Sequence, residues 1–407
     1  MTISRRSLFA ATGAAAVTIG SATQAQAQAQ QPEVEAEASR RLFRKSLDFA
    51  VAKLRATAPA ITSFPQETKF EKWTFADDGG WVGGFWPGSL WLAYLDSRDE
   101  QFRKWAVESA LRLSPRRTDT STHDIGFLFY PSWVTGYRLT GDVSWRDGAV
   151  EAAGSLIQRY NPKGRFIRAW GKLGTPDSDG RVIIDCMMNL DLLTFATQQT
   201  GDSKYLDVAV AHAETTRQFF LRPDGSTPHV YDFDPATGAP IGPNTNQGYS
   251  PTSCWSRGQA WGIYGFTTMY RRTKKAEFLD TAKRLSDFAL KALTPDQIPI
   301  WDYRSPLAPN DVKDSSAGVI MACGLIDLAK VTGRYSYHAA ALRILDAICR
   351  TCLTTESERS DAVLARATRN RRAETGIEVS FPYGDYYLME ALLRVLKPRE
   401  IAQAVGL

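Results

Sequence analysis

A short Thr-Gly phrase recurs along the chain and constrains the fold more than any other feature. Copies are centred on Thr140, Thr200 and Thr332, a variant without glycine lies at Thr273, and a more distant one at Ser97. Each copy stands between two stretches of helical apolar periodicity. Glycine suits a helix C-cap, and the residue after it can begin the next helix, so each copy predicts a tight joint between two helices.

The spacing of these joints predicts a repetitive helical domain. The threonines at 140, 200, 273 and 332 lie 60, 73 and 59 residues apart, the length of a helix pair plus a long loop. Helix pairs cannot bury their apolar faces alone, so they must stack or close into a ring. With a final helix over 386–396, the pattern predicts about six hairpins in an all-α toroid. An open solenoid is the alternative, but long Gly-, Pro- and Trp-rich loops favour a ring, since they can converge on one pocket.

The N-terminus has the features of an export signal. Arg5 and Arg6 form a twin-arginine pattern, a mildly apolar run follows over 10–20, and Ala-Gln repeats offer cleavage after Ala27 or Ala29. A frayed first helix is the alternative. We therefore expect a twin-arginine signal peptide over 1–29, one folded domain over 30–407 and a periplasmic location. No later stretch approaches the roughly 18 uninterrupted apolar residues that span a membrane.

Charge and composition narrow the classes of partner. The formal charge of +5 falls to +3 without the signal, because Arg5 and Arg6 are its only charged residues. The short basic patches at 116–117 and 369–372 are interpreted as solvated surface, so we expect neither nucleic acid nor membrane as a partner. The 11 tryptophans suit the flat faces of sugar rings, although several will be core.

Other chemistries find no support in the sequence. The four histidines have no metal-ligand spacing, and Cys349 and Cys352 lack a second pair, so no metal is expected. The five cysteines leave at least one free thiol. No phosphate-binding, dinucleotide or serine-hydrolase motif is present, and no cofactor is expected.

Two aspartates are candidates for acid–base chemistry. Asp185 stands between Ile184 and Met187 at the start of a helical segment. Apolar surroundings would raise its pKa, whereas a helix N-terminus would lower it, and the sequence leaves both open. Asp124 could supply the second carboxyl that glycoside hydrolysis requires, or could be an ordinary cap.

Aromatic and polar residues alternate in a later stretch. In the segment 255–261, Arg257 could hold a carboxylate while Trp255 and Trp261 cover sugar faces, or it could stack on tryptophan in the wall. His229 could be a core histidine or a ligand to substrate. It lies in 227–233, the best candidate for a strand.

Several phrases, in this order, resemble the unsaturated glucuronyl hydrolases, glycoside hydrolase family 88. They are GFWPGSLW, HDIGF, DCMMNLDLL, STPHVYDFDPATG, QGYSPTSCWSRGQAW, DSSA and YGDYYLMEAL, and they span about residues 81–396. The resemblance implies a single-domain (α/α)6 barrel. It also implies an enzyme that acts on lyase-generated oligosaccharides carrying a 4-deoxy-uronic acid with a C4=C5 double bond.

The resemblance also implies roles for individual residues. Asp185 is similar in position to the family's general acid/base and Asp124 to its supporting carboxylate. The residues implied to bind substrate are Trp86, His123, Phe127, Trp170, Asn189, His229, Gln247, Trp255, Arg257, Gln259 and Trp261. The implied reaction is hydration of the enol ether, which then releases the neighbouring sugar. We expect a monomer or homodimer.

Two other functions stay open on the sequence. Unsaturated rhamnogalacturonyl hydrolases share the barrel and mechanism but prefer a pectin-derived sugar. A periplasmic carbohydrate-binding toroid without activity is the other alternative. Neither the parent polysaccharide nor the tolerance of sulfation can be inferred from the sequence.

Overall fold

The computed structural model describes residues 37–175 and 180–407. The chain contains two compact units. One reaches Leu42, and its described residues 37–42 are helical; the other spans Phe43–Leu407. The signal peptide predicted over 1–29 lies outside the described residues.

Helices dominate the larger unit, and short strands lie in the connections between them. The α-helices, numbered in chain order, are α1 (37–57, of which 43–57 belong to this unit), α2 (Phe85–Ser97), α3 (Glu100–Leu111), α4 (Ile125–Phe129), α5 (Thr135–Thr140), α6 (Val143–Ile157), α7 (Cys186–Thr200), α8 (Lys204–Phe220), α9 (Ser256–Thr273), α10 (Ala276–Ala292), α11 (Ser315–Thr332), α12 (Tyr335–Thr351), α13 (Pro382–Leu396) and α14 (Pro398–Val405). One π-helical turn, Tyr130–Val134, joins α4 to α5, and short 3-10 turns occur at Ala58–Ala60 and Ser114–Thr118.

The strands form two hairpins and one small sheet. Antiparallel pairs join β1 (Phe64–Lys69) to β2 (Lys72–Ala76) and β3 (Tyr160–Asn161) to β4 (Phe166–Ile167). The sheet contains β5 (Arg181–Ile183), β6 (Val230–Phe233) and β7 (Pro240–Asn244), with β6 in the centre. The strand predicted over 227–233 therefore exists over its second half.

The helices form two concentric layers. The inner layer contains α2, the α4–α5 pair, α7, α9, α11 and α13, and it closes because α13 packs against α2. Inner helices are buried on all sides: every residue of α11 from Ser315 to Ala329 is buried. Outer helices are buried on one face only, as in α10, where Phe278, Ala282, Leu285 and Ala289 point inward. The chain is therefore an (α/α)6 barrel, and the open solenoid is excluded.

Burial also explains the apolar character of α11. It is the one described helix that is long and apolar enough to cross a membrane, and 83% of its apolar window is buried inside the unit. Such a helix suits the inner layer, where neighbouring helices cover it on every side.

The recurring phrase forms the tight joints from inner to outer helices. Gly141, Gly201 and Gly333 take φ values of 73°, 74° and 68°, as predicted for C-caps. Lys274 and Arg98 take the same left-handed conformation without glycine, at φ 58° and 57°. The copies lacking glycine thus form the same joint at some steric cost.

Every copy of the phrase has a hydroxyl side chain at the same position, and the hydrogen bonds of this hydroxyl explain why. The Thr140 hydroxyl donates to the Gly136 carbonyl four residues earlier at 2.8 Å and accepts from the Asp142 N–H at 3.2 Å. The hydroxyls of Thr200, Thr273, Thr332 and Ser97 repeat both bonds. One side chain therefore bonds both a carbonyl at the helix end and the second amide beyond it.

The opposite ends of the helices are joined by long connections. The intervals before α2, α4, α7, α9, α11 and α13 run from outer to inner helices and contain all the strands above. Because these intervals alternate with the tight joints, they emerge at the same end of the barrel. The candidate site lies at this end.

Candidate active site

A cavity of about 270 Å³ opens among the long connections. Its lining combines carboxyls, imidazoles and indoles: Trp81, His123, Asp124, Trp170, Ile183, Asp185, His229, Asn246, Gln247 and Arg369. Six of these ten residues were predicted from the sequence. Two carboxyls beside flat aromatic faces are the equipment of a carbohydrate-processing site.

The three-stranded sheet positions Asp185 and His229. Ile183 of β5 pairs with Val230 of β6, and the Ile184 N–H donates to the His229 carbonyl at 3.1 Å. Asp185 follows directly and begins α7. The sheet therefore sets the His229 ring beside the Asp185 carboxyl, with Nε2 3.7 Å from Oδ2.

Backbone hydrogen bonds also connect the segment that contains Asp124 to this sheet. Ala169 donates its N–H to the Arg181 carbonyl at 2.9 Å, and the His123 N–H donates to the Ala169 carbonyl at 2.8 Å. Thr122 and Trp170 form an isolated antiparallel bridge. These backbone bonds fix Trp170 and the segment before α4 to the edge of the sheet that leads to Asp185.

Asp185 occupies a helix N-cap position without capping the helix. Its side chain makes no cap hydrogen bond, and it faces the cavity with 9% of its surface exposed. Burial raises the pKa of Asp185 to about 7, and the negative charge of Asp124 adds to this, while the positive charge of Arg257 partly offsets it. The sequence left open whether apolar surroundings raise the pKa of Asp185 or the helix N-terminus lowers it; in the structure the pKa is raised.

Asp124 also stands at an N-cap without capping, before α4. The Thr122 hydroxyl donates to its Oδ2 at 2.7 Å, which favours the carboxylate. Burial still raises the pKa of Asp124 to about 6, against the lowering effects of Thr122, Arg116 and Arg159. The lower value for Asp124 makes it the first of the pair to ionise, and the two groups titrate as a coupled pair.

Two buried histidines accompany the carboxyls, and burial lowers the pKa of each to about 3. Both are therefore neutral at physiological pH. His229 Nδ1 accepts from the backbone N–H groups of Asn246 and Gln247, at 3.2 and 3.1 Å. Its proton consequently lies on Nε2, facing Asp185. His123 Nε2 lies 3.4 Å from Asp124 Oδ1.

Asn189 ties the two carboxyl-bearing helices together. Its Oδ1 accepts from the Phe127 N–H at 2.7 Å, and its Nδ2 donates to the Asp185 carbonyl at 3.4 Å. The helices meet closely here, because a Cβ on Gly126 would lie 2.4 Å from the Asn189 Cα. The position of Asp124 relative to Asp185 thus depends on Asn189, which lies outside the cavity lining.

The predicted substrate-binding residues divide into two groups. Those lining the cavity are His123, Trp170, His229 and Gln247. Those behind the lining, within the barrel, are Trp86, Phe127, Asn189, Trp255, Arg257, Gln259 and Trp261, all buried.

Arg257 and Gln259 have structural partners that explain their placement. Arg257 is fully buried, forms an ion pair with Asp314 and donates to the carbonyls of Thr368 and Arg369. Its guanidinium carbon lies 4.4 Å from the centroid of the Trp255 ring, as in the wall interpretation of this stretch.

The Gln259 amide is likewise occupied. Its nitrogen donates to the carbonyls of Gly225 and Leu285, and its oxygen accepts from the Thr227 N–H. Gln259 therefore fastens the loop at 225–227 and helix α10 to helix α9.

Phe127 and Trp261 form the floor beneath the carboxyls. Their ring centroids are 5.1 Å apart, and Phe127 also packs on Trp81 and Phe85. The Trp261 indole lies close enough to Asp185 to lower its pKa slightly. Trp86 is buried in α2, 4% exposed.

Some of the buried polar atoms without partners lie around Asp185. Asp185 Oδ2, His229 Nε2, Trp255 Nε1 and Trp261 Nε1 find no hydrogen-bond partner among residues 37–175 and 180–407. Such atoms are costly in a folded protein and are typical of sites that complete their bonds with a ligand or water. Of these four atoms, Asp185 Oδ2 and His229 Nε2 belong to residues that line the cavity, so these two can complete their bonds with a bound molecule.

Four lining residues were not predicted: Trp81, Ile183, Asn246 and Arg369. Trp81 stacks on Tyr383 with ring centroids 5.1 Å apart, and it opens the glycine-rich stretch that leads into α2. Arg369 belongs to the basic patch interpreted as solvated surface; its side chain is 35% exposed, and it also lines the cavity. Its carbonyl is held by Gln247 Nε2 at 2.7 Å, which turns this part of the loop toward the cavity.

The described part of the chain contains no cluster of three or more His, Cys, Asp or Glu side chains arranged to hold a metal ion. All five cysteines are buried free thiols. The polar and aromatic side chains that line the cavity are two carboxyls, two imidazoles, two indoles, two amides and one guanidinium.

A helical barrel with two buried carboxyls in a tryptophan-lined cavity defines a glycoside hydrolase. No family model matches the chain. It is 36% identical over 363 residues to an unsaturated chondroitin disaccharide hydrolase of Streptococcus pyogenes serotype M1, covering 87% of this chain and 91% of that protein. It is 37% identical over 332 residues to the unsaturated glucuronyl hydrolase of Bacillus sp. strain GL1, covering 80% and 88%.

Solved structures agree with these relatives. An unsaturated glucuronyl hydrolase variant solved with dGlcA-Glc-Rha-Glc superposes with a TM-score of 0.83 at 34% identity, covering 88% of this chain and 97% of that one. The chain belongs to the unsaturated glucuronyl hydrolase family. Its barrel fold and its glycosidase class, both predicted from the sequence, are confirmed.

Proposed function

We propose that Asp185 is the proton donor with which this hydrolase removes an unsaturated 4-deoxy-glucuronic acid from the non-reducing end of lyase-generated oligosaccharides. The observation that carries this proposal is the Asp185 carboxyl. It is buried, faces the cavity beside Asp124 and has a pKa of about 7. A carboxyl that keeps its proton near neutral pH can act as a general acid there.

The first step is protonation of the alkene. Asp185 transfers its proton to C4 of the sugar, and positive charge develops at C5 and the ring oxygen. The Asp124 carboxylate stabilises that charge electrostatically, and its burial strengthens the effect. Asp124 ionises before Asp185, so the two groups are in the required states between their pKa values of about 6 and 7.

The second step is addition of water at C5. Asp185, now a carboxylate, accepts a proton from the water as the oxygen bonds to C5, which restores the acid. The resulting hemiketal opens to a ketone at C5, the anomeric carbon becomes a hemiacetal, and its collapse expels the neighbouring sugar. His229 stays neutral and directs its Nε2–H toward the reacting carboxyl, so it can orient the Asp185 oxygen or the incoming water.

Arg369 is the candidate to receive the anionic group of the substrate. It is the one cationic side chain among the described residues that line the cavity, whereas Arg257 is occupied by Asp314. Arg369 Nη1 lies 3.3 Å from Glu67 Oε2, so it is partly neutralised at rest and can exchange this partner for a substrate oxyanion.

The test is a panel of disaccharides made by polysaccharide lyases. Heparin-, hyaluronan-, chondroitin- and ulvan-type substrates, with and without sulfate, are compared with pectin-type ones by loss of the alkene absorbance. We expect turnover of at least one glucuronate-containing type and little of the pectin type. Preference for the pectin type would favour rhamnogalacturonyl specificity, and sugar binding without alkene loss would favour a binding protein.

We also propose that the protein is exported to the periplasm by the twin-arginine route and acts as a monomer or homodimer. The support is the sequence around Arg5 and Arg6. Cell fractionation and N-terminal sequencing should find a periplasmic chain that begins at residue 28 or 30. The Arg5→Lys/Arg6→Lys variant should stay in the cytoplasm, and native export of that variant would contradict the route.

A further inference from the structure

Arg159 is a fully buried arginine directly behind one wall of the cavity. It lies two residues beyond the end of α6. Its guanidinium donates to the Arg168 carbonyl at 2.8 Å, to the Gly171 carbonyl at 3.0 Å and to the Thr120 carbonyl. One planar group therefore bonds two separate stretches of chain.

Both stretches carry residues of the site. The segment beginning at Thr120 leads to His123 and Asp124, and the segment 168–171 contains Trp170. Their mutual contacts are the Thr122–Trp170 bridge and the His123 N–H bond to Ala169. The Arg159 fork adds a side-chain clamp beneath these backbone bonds. Its planar donors suit this role better than the single ammonium of a lysine would.

We propose that Arg159 is a positioning residue of the active site. Its guanidinium holds the Asp124 segment against the Trp170 segment, and its buried positive charge favours the carboxylate form of Asp124. This inference rests on the proposed function, in which Asp124 acts as a carboxylate.

The charged surroundings of Asp124 support the electrostatic part. Besides Arg159, the groups that act on it are Arg116, Asp119 and Asp185, and the neutral His123 and Cys186 lie beside it. Arg116 is bonded to Asp119 through its own guanidinium at 2.8 Å, so these two charges largely compensate one another. Burial is the main influence on both groups, raising the pKa of Asp124 and lowering that of His123, and the charge of Arg159 acts to lower both pKa values. Arg159 thus favours an ionised Asp124 beside an uncharged imidazole.

The experiment compares the pH dependence of kcat/KM in Arg159→Met and Arg159→Lys, with Arg146→Met as the control. Arg146 lies in α6, the helix that precedes Arg159, is partly exposed and is paired with Asp147, so its loss changes the net charge equally, away from the site. Arg159→Met should move the acid limb to higher pH, because loss of a buried positive charge disfavours the ionised form of Asp124. Arg159→Lys should keep the native acid limb, because it keeps the positive charge, and should raise KM, because it lacks the planar donors. Arg146→Met should have the same pH profile as the native enzyme.

An Arg159→Met enzyme that folds and keeps the native acid limb would overturn the proposal. If that variant does not fold, Arg159→Lys decides alone. The proposal requires that Arg159→Lys keep the acid limb of the native pH profile while its kcat/KM falls at least threefold. A displaced acid limb in this variant, or a native kcat/KM, contradicts the proposal. Failure of the proposed function is distinguishable, since it would appear as activity that survives loss of Asp185.

Discussion

Replacing Asp185 by asparagine should make the protein more stable in a strictly pH-dependent way. A folded-state pKa of about 7 against an ordinary 3.8 means that the folded protein holds an extra proton between these values. The native stability therefore falls as pH rises through this window, and the neutral amide escapes the loss. One pKa unit corresponds to about 1.4 kcal/mol, so the advantage of Asp185→Asn should grow from near zero at pH 4 to several, at most about 4, kcal/mol at pH 8.

The assay is urea unfolding followed by tryptophan fluorescence at pH values from 4 to 8. Asp191→Asn is the matched control, because Asp191 lies on the same helix with a side chain only 12% exposed, but its pKa is low. Burial opposes this lowering, and the Arg272 guanidinium outweighs burial. That variant should lose stability by a nearly constant amount across pH 4 to 8, because the stabilisation from ionised Asp191 is lost only below its ordinary pKa of 3.8. A constant difference between Asp185→Asn and the native protein at all pH values would refute the raised pKa.

Three further predictions concern other residues of the site. Asp124→Asn should move the alkaline limb of kcat/KM to lower pH, because the negative charge of Asp124 helps to raise the pKa of Asp185. An unmoved alkaline limb in pH-rate profiles would show that the charge of Asp124 does not act on Asp185. Arg369→Ala should raise KM about tenfold with kcat little changed, because it removes one hydrogen bond to a charged group. An unchanged KM in steady-state kinetics would show that the anionic group of the substrate is held elsewhere. Arg257→Ala should lower the free energy of unfolding by about 3–5 kcal/mol, because it leaves Asp314 buried without its partner; native stability in urea would contradict the wall role.

The barrel could be predicted from the sequence because its repeating joint is local. At Thr140, Thr200 and Thr332 one hydroxyl and one following glycine are enough to end a helix and start the next. The loops favoured closure of the ring over an open solenoid, but they could not establish it, since the contact between α13 and α2 joins distant parts of the chain. The hairpin β1–β2 was not predicted, because its residues show no clear alternation.

The candidate site was harder to predict, since local sequence does not show which way a side chain faces. Arg257 lies among tryptophans as a carboxylate-binding arginine would, yet Asp314, 57 residues away, occupies it. Asn189 belongs to the same phrase as Asp185 but bonds to Phe127 behind the cavity. Arg369 looked like surface, and only the bond from Gln247 across 122 residues reveals its place.

The central claim is that a protonated Asp185 delivers its hydrogen to the alkene. It is tested most directly by the rate of alkene absorbance loss between pH 5 and 9 in the native enzyme and in Asp185→Asn. We expect the native kcat/KM to fall about tenfold per pH unit above the pKa of about 7. The variant should be at least about a hundredfold slower, the low end for general acid catalysis. A variant with a near-native rate and the same alkaline limb would contradict the claim.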